Sequence, residues 1–465
     1  MNLNLVLRTD VINETEFVDG LSYLGCSYVR YHSNQMVRPE KSRTWIDSTT
    51  RTWNPGKIDT SLSYLPFHPE VAIISIPRWP RWMDVDEDSR LDDDKKTEYA
   101  SLCAELVRVI NRDMSKNIIY WETINELEGR YQSDIETLAA ISNQCADSMR
   151  AADSSIRIVG GSFSQPWDET ITRFIQYADF DVWAHHNYAS GHTDCTSVSY
   201  FLSKIPGIVS GIHNVREKLD NKGKSNVAIW LTEHNLFWTW EADGQKLMRS
   251  ITGGIWDAWL LTALMKDQTA EAAFAWHDAD TRYGKIQYNW STWNYDILTP
   301  SAHVYHLFNT YTHSDDYMYD FTRSGDSIIS VTFFGNSSEL NAMFINPATT
   351  PCTLLVGDSN WHADSLFVVD SSQMTATDVA GDTSFILYPL SVSLFLGQKI
   401  ALHSTTSSHP HNHNSTGQFP RLVVTASRKD MAGRVFVTKG EKTFNLMGRN
   451  VVMPRTTVPL PGHKQ

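Results

Sequence analysis

The chain has 465 residues, 41% hydrophobic and 20% charged, with a formal net charge of −13. That balance fits a folded protein with one large domain and a smaller companion, not a disordered or fibrous chain. The negative charge argues against nucleic acid or an anionic membrane as the main partner, and no apolar run reaches the roughly 18 residues of a membrane span.

The opening stretch, MNLNLVLRTDVINETEF, carries no basic n-region, long apolar core or cleavage site, so no signal peptide is expected in it and the location is left open. Five cysteines (Cys26, Cys103, Cys145, Cys195, Cys352) are scattered without a CxxC. They read as buried free thiols, neither a zinc pattern nor a disulfide framework.

Taken in order, the first 280 residues alternate between strand and helix patterns. LNLVLR reads as strand one and CSYVRYH as strand two, with a helical NETEFVDGLSYLG between them. EVAIISIPRW is strand three, and KKTEYASLCAELVRVINRD after it has apolar residues at helical spacing. NIIYWETIN, IRIVGGSF, FDVWAHHNY, VAIWLTEHN and EAAFAWHDAD supply strands four to eight, with helical sequence between most of them. Strand one has almost nothing before it, so closure at that edge is the open point.

Eight such alternations predict an α/β fold, a (β/α)8 TIM barrel over residues 1–312. A doubly wound sheet would carry a glycine-rich phosphate turn early, and none is present. After residue 312 short β runs separated by Gly, Asn, Asp and Pro predict a small antiparallel β-sandwich domain over 313–400. Residues 401–465 read as a His/Ser-rich linker and a weakly patterned tail, dispensable for catalysis.

A TIM barrel carries its chemistry at the C-terminal strand ends. Those ends hold Arg30 and His32, Arg78 and Trp79, Asn125 and Glu126, His185 to Tyr188, Glu233 and His234, and Trp276 and His277. Each has a structural explanation alone, such as a cap, an ion pair or a satisfied core histidine. Six ends that all carry such chemistry are harder to explain that way.

Glu126 and Glu233 each follow an apolar β run, on strands four and seven, which face one another across the mouth. Two carboxyl groups about 5–5.5 Å apart are what a retaining glycosidase needs. They must differ in pKa, and Arg30 and Tyr188 are neighbours that would keep Glu233 ionised. By strand alternation Glu122 shares a face with Glu126 and would raise its pKa, whereas Glu128 would pair with Arg130.

This ordered set resembles the clan A (β/α)8 retaining glycoside hydrolases. The resemblance rests on Asn125-Glu126 in TINE, Glu233 in WLTEHN, His186 and Tyr188 in HHNY, Trp276 in FAWHD, and Arg30. It implies Glu126 as acid/base and Glu233 as nucleophile, with Asn125 on the sugar 2-hydroxyl and Trp276 beneath the reacting sugar. Leu127 stands where such families usually have proline.

Arginines interleaved with tryptophan (Arg30, Arg78, Arg81, Arg130, Trp79, Trp82) suit a sugar bearing sulfate or carboxylate, unless they pair with the acidic run DVDEDSRLDDD. The family 86 agarases and porphyranases are therefore the leading likeness, with xylosidase-like and glucuronidase-like families open. The expected partner is a carbohydrate, with Arg30, His32, Arg78, Trp79, Asn125, His186, Tyr188, His234 and Trp276 as binding residues. Neither cofactor nor metal is called for, and the oligomeric state is left open. Two other readings stand beside this one. A non-catalytic sugar-binding barrel would be expected to lose one glutamate, and a metal hydrolase would be built on His185, His186 and His234.

Overall fold

Eight parallel strands close into a barrel: β1 (Asn2–Val6), β2 (Tyr28–His32), β3 (Glu70–Ser75), β4 (Tyr120–Glu122), β5 (Arg157–Phe163), β6 (Val182–Ser190), β7 (Ala228–Phe237) and β8 (Ala272–Ala275). The computed structural model describes residues 2–6, 15–42, 44–62, 70–164, 167–191, 197–239, 246–280, 283–289, 291–292, 294–313, 316–319, 321–324, 329–336, 338–356, 361–371, 373–380, 382, 384–399, 422–429, 432–438 and 443–445. β1 closes the ring by pairing with both neighbours, Leu3 standing opposite Val29 on one side and Ala275 on the other.

The strands are apolar on both faces, as parallel strands covered by helices must be. Ile73, Val159, Val182, Ala184, Trp230 and Phe274 fill the barrel interior. The alternate residues Val29, Ile74, Trp121, Ile158, Trp183, Ile229 and Leu231 pack outward against the helices. The helix Ile135–Ala152 shows the matching pattern, burying Ile135, Leu138, Ala139, Ile141, Ser142, Cys145, Ala146 and Met149. The helix before β7 runs from Ile205 to Asn221, and Gly223 follows it at φ 72°, a conformation suited to a residue without Cβ.

Above the apolar interior layer the inward positions become polar: Arg30, Ser75, Glu122, His186 and Glu233. A register shift in β7 is essential here. Ala228 and Trp230 face inward, so strict alternation would turn Glu233 toward the helices. Between the pairs His185–Leu231 and His186–Glu233 the register slips by one residue, and Glu233 comes to stand opposite His186.

A three-stranded sheet of β9 (Ala279–Asp280), β10 (Ile286–Asn289) and β11 (Asn294–Leu298) follows β8. The C-terminal region has a seven-stranded and a five-stranded sheet. The first contains β12 (Tyr317–Tyr319), β14 (Ser330–Gly335), β15 (Asn341–Asn346), β17 (Trp361–Val369), β18 (Met374–Asp378), β20 (Ser391–Lys399) and β23 (Thr443–Asn445). The second contains β13 (Phe321–Ser324), β16 (Cys352–Val356), β19 (Ser384–Leu387), β21 (Leu422–Lys429) and β22 (Ala432–Thr438).

Alternation divides the seven-stranded sheet between two cores. Phe333, Ala342, Phe344 and Phe395 face the sandwich interior, whereas Phe334, Met343, Ile345 and Leu394 join the core of the barrel and its helices. Lys266 of a barrel helix donates to the Val331 carbonyl at 2.8 Å across that junction.

Two expectations need amendment. The sandwich is not wholly antiparallel, since β13–β21 and β16–β22 pair in parallel. The tail after residue 421, read as weakly patterned, supplies β21, β22 and β23; the linker 401–421 lies outside the described residues. Its β-branched run LVVTAS pairs with GRVFVT, a pattern masked in sequence by the surrounding Lys and Arg. Cys26, Cys103, Cys145 and Cys352 are buried free thiols, and Cys195 lies outside the described residues. No helix among the described residues is long and apolar enough to cross a membrane.

Ending the chain at Lys399 removes β21 to β23 and uncovers edges in both sheets. The unfolding temperature should fall on the order of 5 °C, as the loss of about 2 kcal/mol gives in a large domain. Calorimetry of the shortened chain reads this, and an unchanged transition would show that the tail strands add no stability.

Candidate active site

Arg30 is the centre of the polar layer. It is fully buried on β2, with Nε 3.0 Å from both Glu122 oxygens and Nη2 2.7 Å from Glu122 Oε2. Its Nη1 donates to Glu233 Oε1 at 2.9 Å, and Nη2 also reaches Asn125 Oδ1 at 2.6 Å and Ser75 Oγ at 3.3 Å. Burial alone would lower its pKa, but Glu122 and Glu233 outweigh that and raise it, so the guanidinium stays charged.

Glu122 was expected to act on Glu126. It is instead occupied by Arg30, and the strand ends at Glu122, so alternation does not extend to Glu126. Glu128 is also placed differently: it is buried and accepts from Ser164 N at 2.7 Å and Ser164 Oγ at 3.1 Å, with no ion pair to Arg130.

Glu126 lies just beyond the strand in a left-handed conformation, φ 54°. Such backbone costs about 1–3 kcal/mol in a non-glycine residue and must be held by its surroundings. Glu126 N donates to the Ser162 carbonyl at 3.0 Å, and Asn125 N donates to the Pro77 carbonyl at 3.0 Å. The turn thereby presents the carboxyl to the mouth with 38% of the side chain exposed. Asn125 gives its side-chain oxygen to Arg30, and its amide nitrogen takes no bond among the described residues.

His186 joins the two glutamates. Its Nδ1 donates to Glu126 Oε1 at 2.7 Å and lies 3.6 Å from Glu233 Oε2. Tyr188 donates its hydroxyl to Glu233 Oε2 at 2.7 Å. One oxygen from each glutamate and one His186 nitrogen all lie within 4.8 Å of one another. The two carboxyl groups thus come within the close approach that a retaining pair needs.

The electrostatics couple these groups. Burial pushes the Glu126 carboxyl up, but the His186 hydrogen bond and charge, with Arg30, hold it below its ordinary value. Burial pushes Glu233 up, and the pull of His186, Arg30 and Tyr188 does not cancel it against the added charge of Glu126. His186 is raised: burial lowers it, and the two carboxylates more than compensate. Burial and Glu233 keep the Tyr188 phenol protonated, well above its usual range.

Among the other residues named from sequence, His32 is buried with Nδ1 3.1 Å from Ser75 Oγ and is held neutral, first by burial and then by the Arg30 charge. Trp276 is half-buried at the mouth with its ring 5.6 Å from that of His32. Arg78 is half-buried on the β3 side. Two residues do not join the site. Trp79, 3% exposed, packs edge-on against Tyr99 and Tyr131 in the core, so it offers no face to a sugar.

His234 turns outward from the barrel to accept from or donate to Tyr305 at 3.0 Å, and burial pushes it down to about 4. His185, His186 and His234 are therefore not one ligand set, since His234 does not converge with His186; the described residues that do have metal-ligand spacing are Glu126, His186 and Glu233. Trp238, just past β7, was passed over in the sequence although 54% exposed; its only signal was the aromatic run FWTW after Glu233. A larger cavity of about 450 Å³ on the β domain, lined by Asp364, Phe367 and Asp378, has none of this chemistry.

Neither a family sequence profile nor a curated protein sequence matches the chain. Solved structures do. A monomeric beta-xylosidase from Caulobacter crescentus CB15 superposes with a TM-score of 0.62 at 13% identity, over 86% of this chain and 96% of that one. A thermostable GH51 alpha-L-arabinofuranosidase from Thermotoga petrophila RKU-1 gives 0.60 at 14% identity, over 85% and 95%. A GH30 endoxylanase from Clostridium papyrosolvens C71 gives 0.57 at 16% identity, over 85% and 95%. At these identities the likeness is one of fold: a TIM barrel with a β domain behind it.

The raised pKa of His186 predicts a pH-dependent contribution to stability. It is fully present below the ordinary histidine value of 6.5 and is lost as pH rises through the raised one. In urea unfolding, the stability lost in His186→Gln should be largest near pH 5.5 and shrink by pH 9. A difference that stays constant would mean that His186 does not bind its proton more tightly in the folded chain.

Proposed function

We propose that the chain is a retaining glycoside hydrolase that cleaves β-linked sugar chains by double displacement. The observation that carries this reading is the Glu126–Glu233 pair, with oxygens within 4.8 Å and opposite surroundings. Glu233 is buried, fixed by Arg30 and Tyr188, and has no freedom to turn away. It attacks the anomeric carbon. Glu126, at the open end of the site, gives its proton to the departing oxygen, then takes one from the water that releases the sugar.

The substrate-free pKa order, Glu126 low and Glu233 high, runs against these roles. His186 resolves the conflict by holding a proton 2.7 Å from Glu126. A sugar seated on Trp276 removes water from the exposed Glu126 carboxyl, and desolvation favours its neutral form. The proton then passes from His186 Nδ1 to Glu126. Once neutral, Glu126 no longer sets a second negative charge beside Glu233, whose two oxygens accept from Arg30 and Tyr188 as a carboxylate does.

The fold shared with a beta-xylosidase, an alpha-L-arabinofuranosidase and an endoxylanase, and the clan A sequence resemblance, support the reaction class. The agar- and porphyran-acting likeness is the finer part of the proposal, and its support is the set of arginines at the mouth.

Two variants test the assignment. Glu233→Gln should lower turnover about 10⁴-fold, as the loss of about 5.4 kcal/mol of transition-state stabilisation gives, while the unfolding transition persists. A 2-fluoro glycoside should label Glu233 in mass spectrometry; a label on Glu122 or Glu128 would overturn it. Glu126→Ala should be slowest on poor leaving groups, and azide should restore the second step to give a β-glycosyl azide. Rescue of Glu128→Ala but not of Glu126→Ala would move the acid elsewhere.

A further inference from the structure

Four cations beside the site take no part in the double displacement. Arg38, Lys41 and Arg78 line an open cavity of about 330 Å³, together with Asn34 and Gln35. Arg130 is exposed just after Glu126, and its charge acts on Arg78. The cavity adjoins the catalytic pair through the backbone. Arg78 follows Pro77, whose carbonyl holds Asn125 N, and Asn34 follows β2 by two residues.

None of the four has a carboxylate within 4.0 Å among the described residues, and two carboxylates of the acidic run, with two others nearby, pair with other cations. Asp93 pairs with Lys96, Asp94 with Lys95, and Asp134 with Arg90; Arg81 takes Glu40. Asp84 favours the Arg78 charge from beyond ion-pair distance. Burial first, then the charges of Arg38 and Arg130, lower the Arg78 pKa. Like charges gathered without counterions repel one another, and an anion placed among them relieves that cost. Guanidinium forks match the planar oxygens of carboxylate and the oxygens of sulfate, and Asn34 and Gln35 supply neutral partners for hydroxyls.

We propose that Arg38, Lys41, Arg78 and Arg130 form a subsite for an oxyanion, a sulfate ester or a carboxylate, carried on the substrate's sugar chain next to the catalytic pair. The inference rests on the glycosidase reading for the word substrate, but its test does not require turnover. The Glu233→Gln chain would be titrated calorimetrically with four oligosaccharide sets: sulfated galactan, carboxylate-bearing xylan, and the neutral counterpart of each. One anionic set should bind at least tenfold tighter than its neutral counterpart, and the preference should weaken with added salt.

Sulfate preference identifies an ester-bearing chain, and carboxylate preference a uronate-bearing one. Adding Arg78→Ala should remove most of the preference, and adding the exposed Arg130→Ala should reduce it even where Arg78→Ala disturbs folding. Equal binding of neutral and anionic sugars, or a preference intact in both variants, would overturn the subsite. Anionic binding without covalent labelling of Glu233 in the parent chain would keep the subsite and remove the glycosidase reading.

Discussion

A single buried guanidinium organises the mouth of this barrel. Arg30 has no contact with solvent, yet it holds a full positive charge because Glu122 takes one edge and Glu233 another. Removing one partner of such a buried set typically costs about 3–5 kcal/mol, since a charge is left uncompensated. Glu122 is therefore a counterweight: it keeps Arg30 charged so that Arg30 can grip Glu233 and Asn125 together. The two motifs that the site depends on, at the ends of β4 and β7, are tied to one residue on β2.

The other glutamate is placed by a strained backbone turn and tethered by His186. Glu126 sits at φ 54° outside the strand, locked by Ser162 and Pro77, which themselves lie at the ends of the neighbouring strands. One carboxyl is thus rigid and deep, and its partner lies forward with water at hand. His186 lies between them, its Nδ1 2.7 Å from Glu126 and 3.6 Å from Glu233. A site arranged in this way can shift one proton over a short distance without moving backbone.

The barrel and both glutamates were legible in the sequence because each strand is a short apolar run with polar residues at its end. What the sequence could not display is direction. His234 has the same residue type and neighbourhood as a binding histidine, yet the slip in β7 that turns Glu233 inward sends His234 toward Tyr305. Trp79 carries a strand-end position but packs behind the strand layer against Tyr99 and Tyr131. Glu122 reads as a carboxylate acting on Glu126 only when strand periodicity is carried four residues past the strand's end. In each case a local bulge or strand end, not residue type, settled the outcome. The tail strands were hidden for a different reason: their apolar pattern is short, and their partners lie far away in sequence.

The account depends most on the two carboxyl groups acting from the short separation seen here. Proton NMR of an aryl β-glycoside during its first minutes of cleavage reads this directly, before mutarotation mixes the anomers. The β anomer should form first, with retained configuration. An α anomer appearing first would mean a single displacement by water, which a pair with oxygens within 4.8 Å has no room to direct.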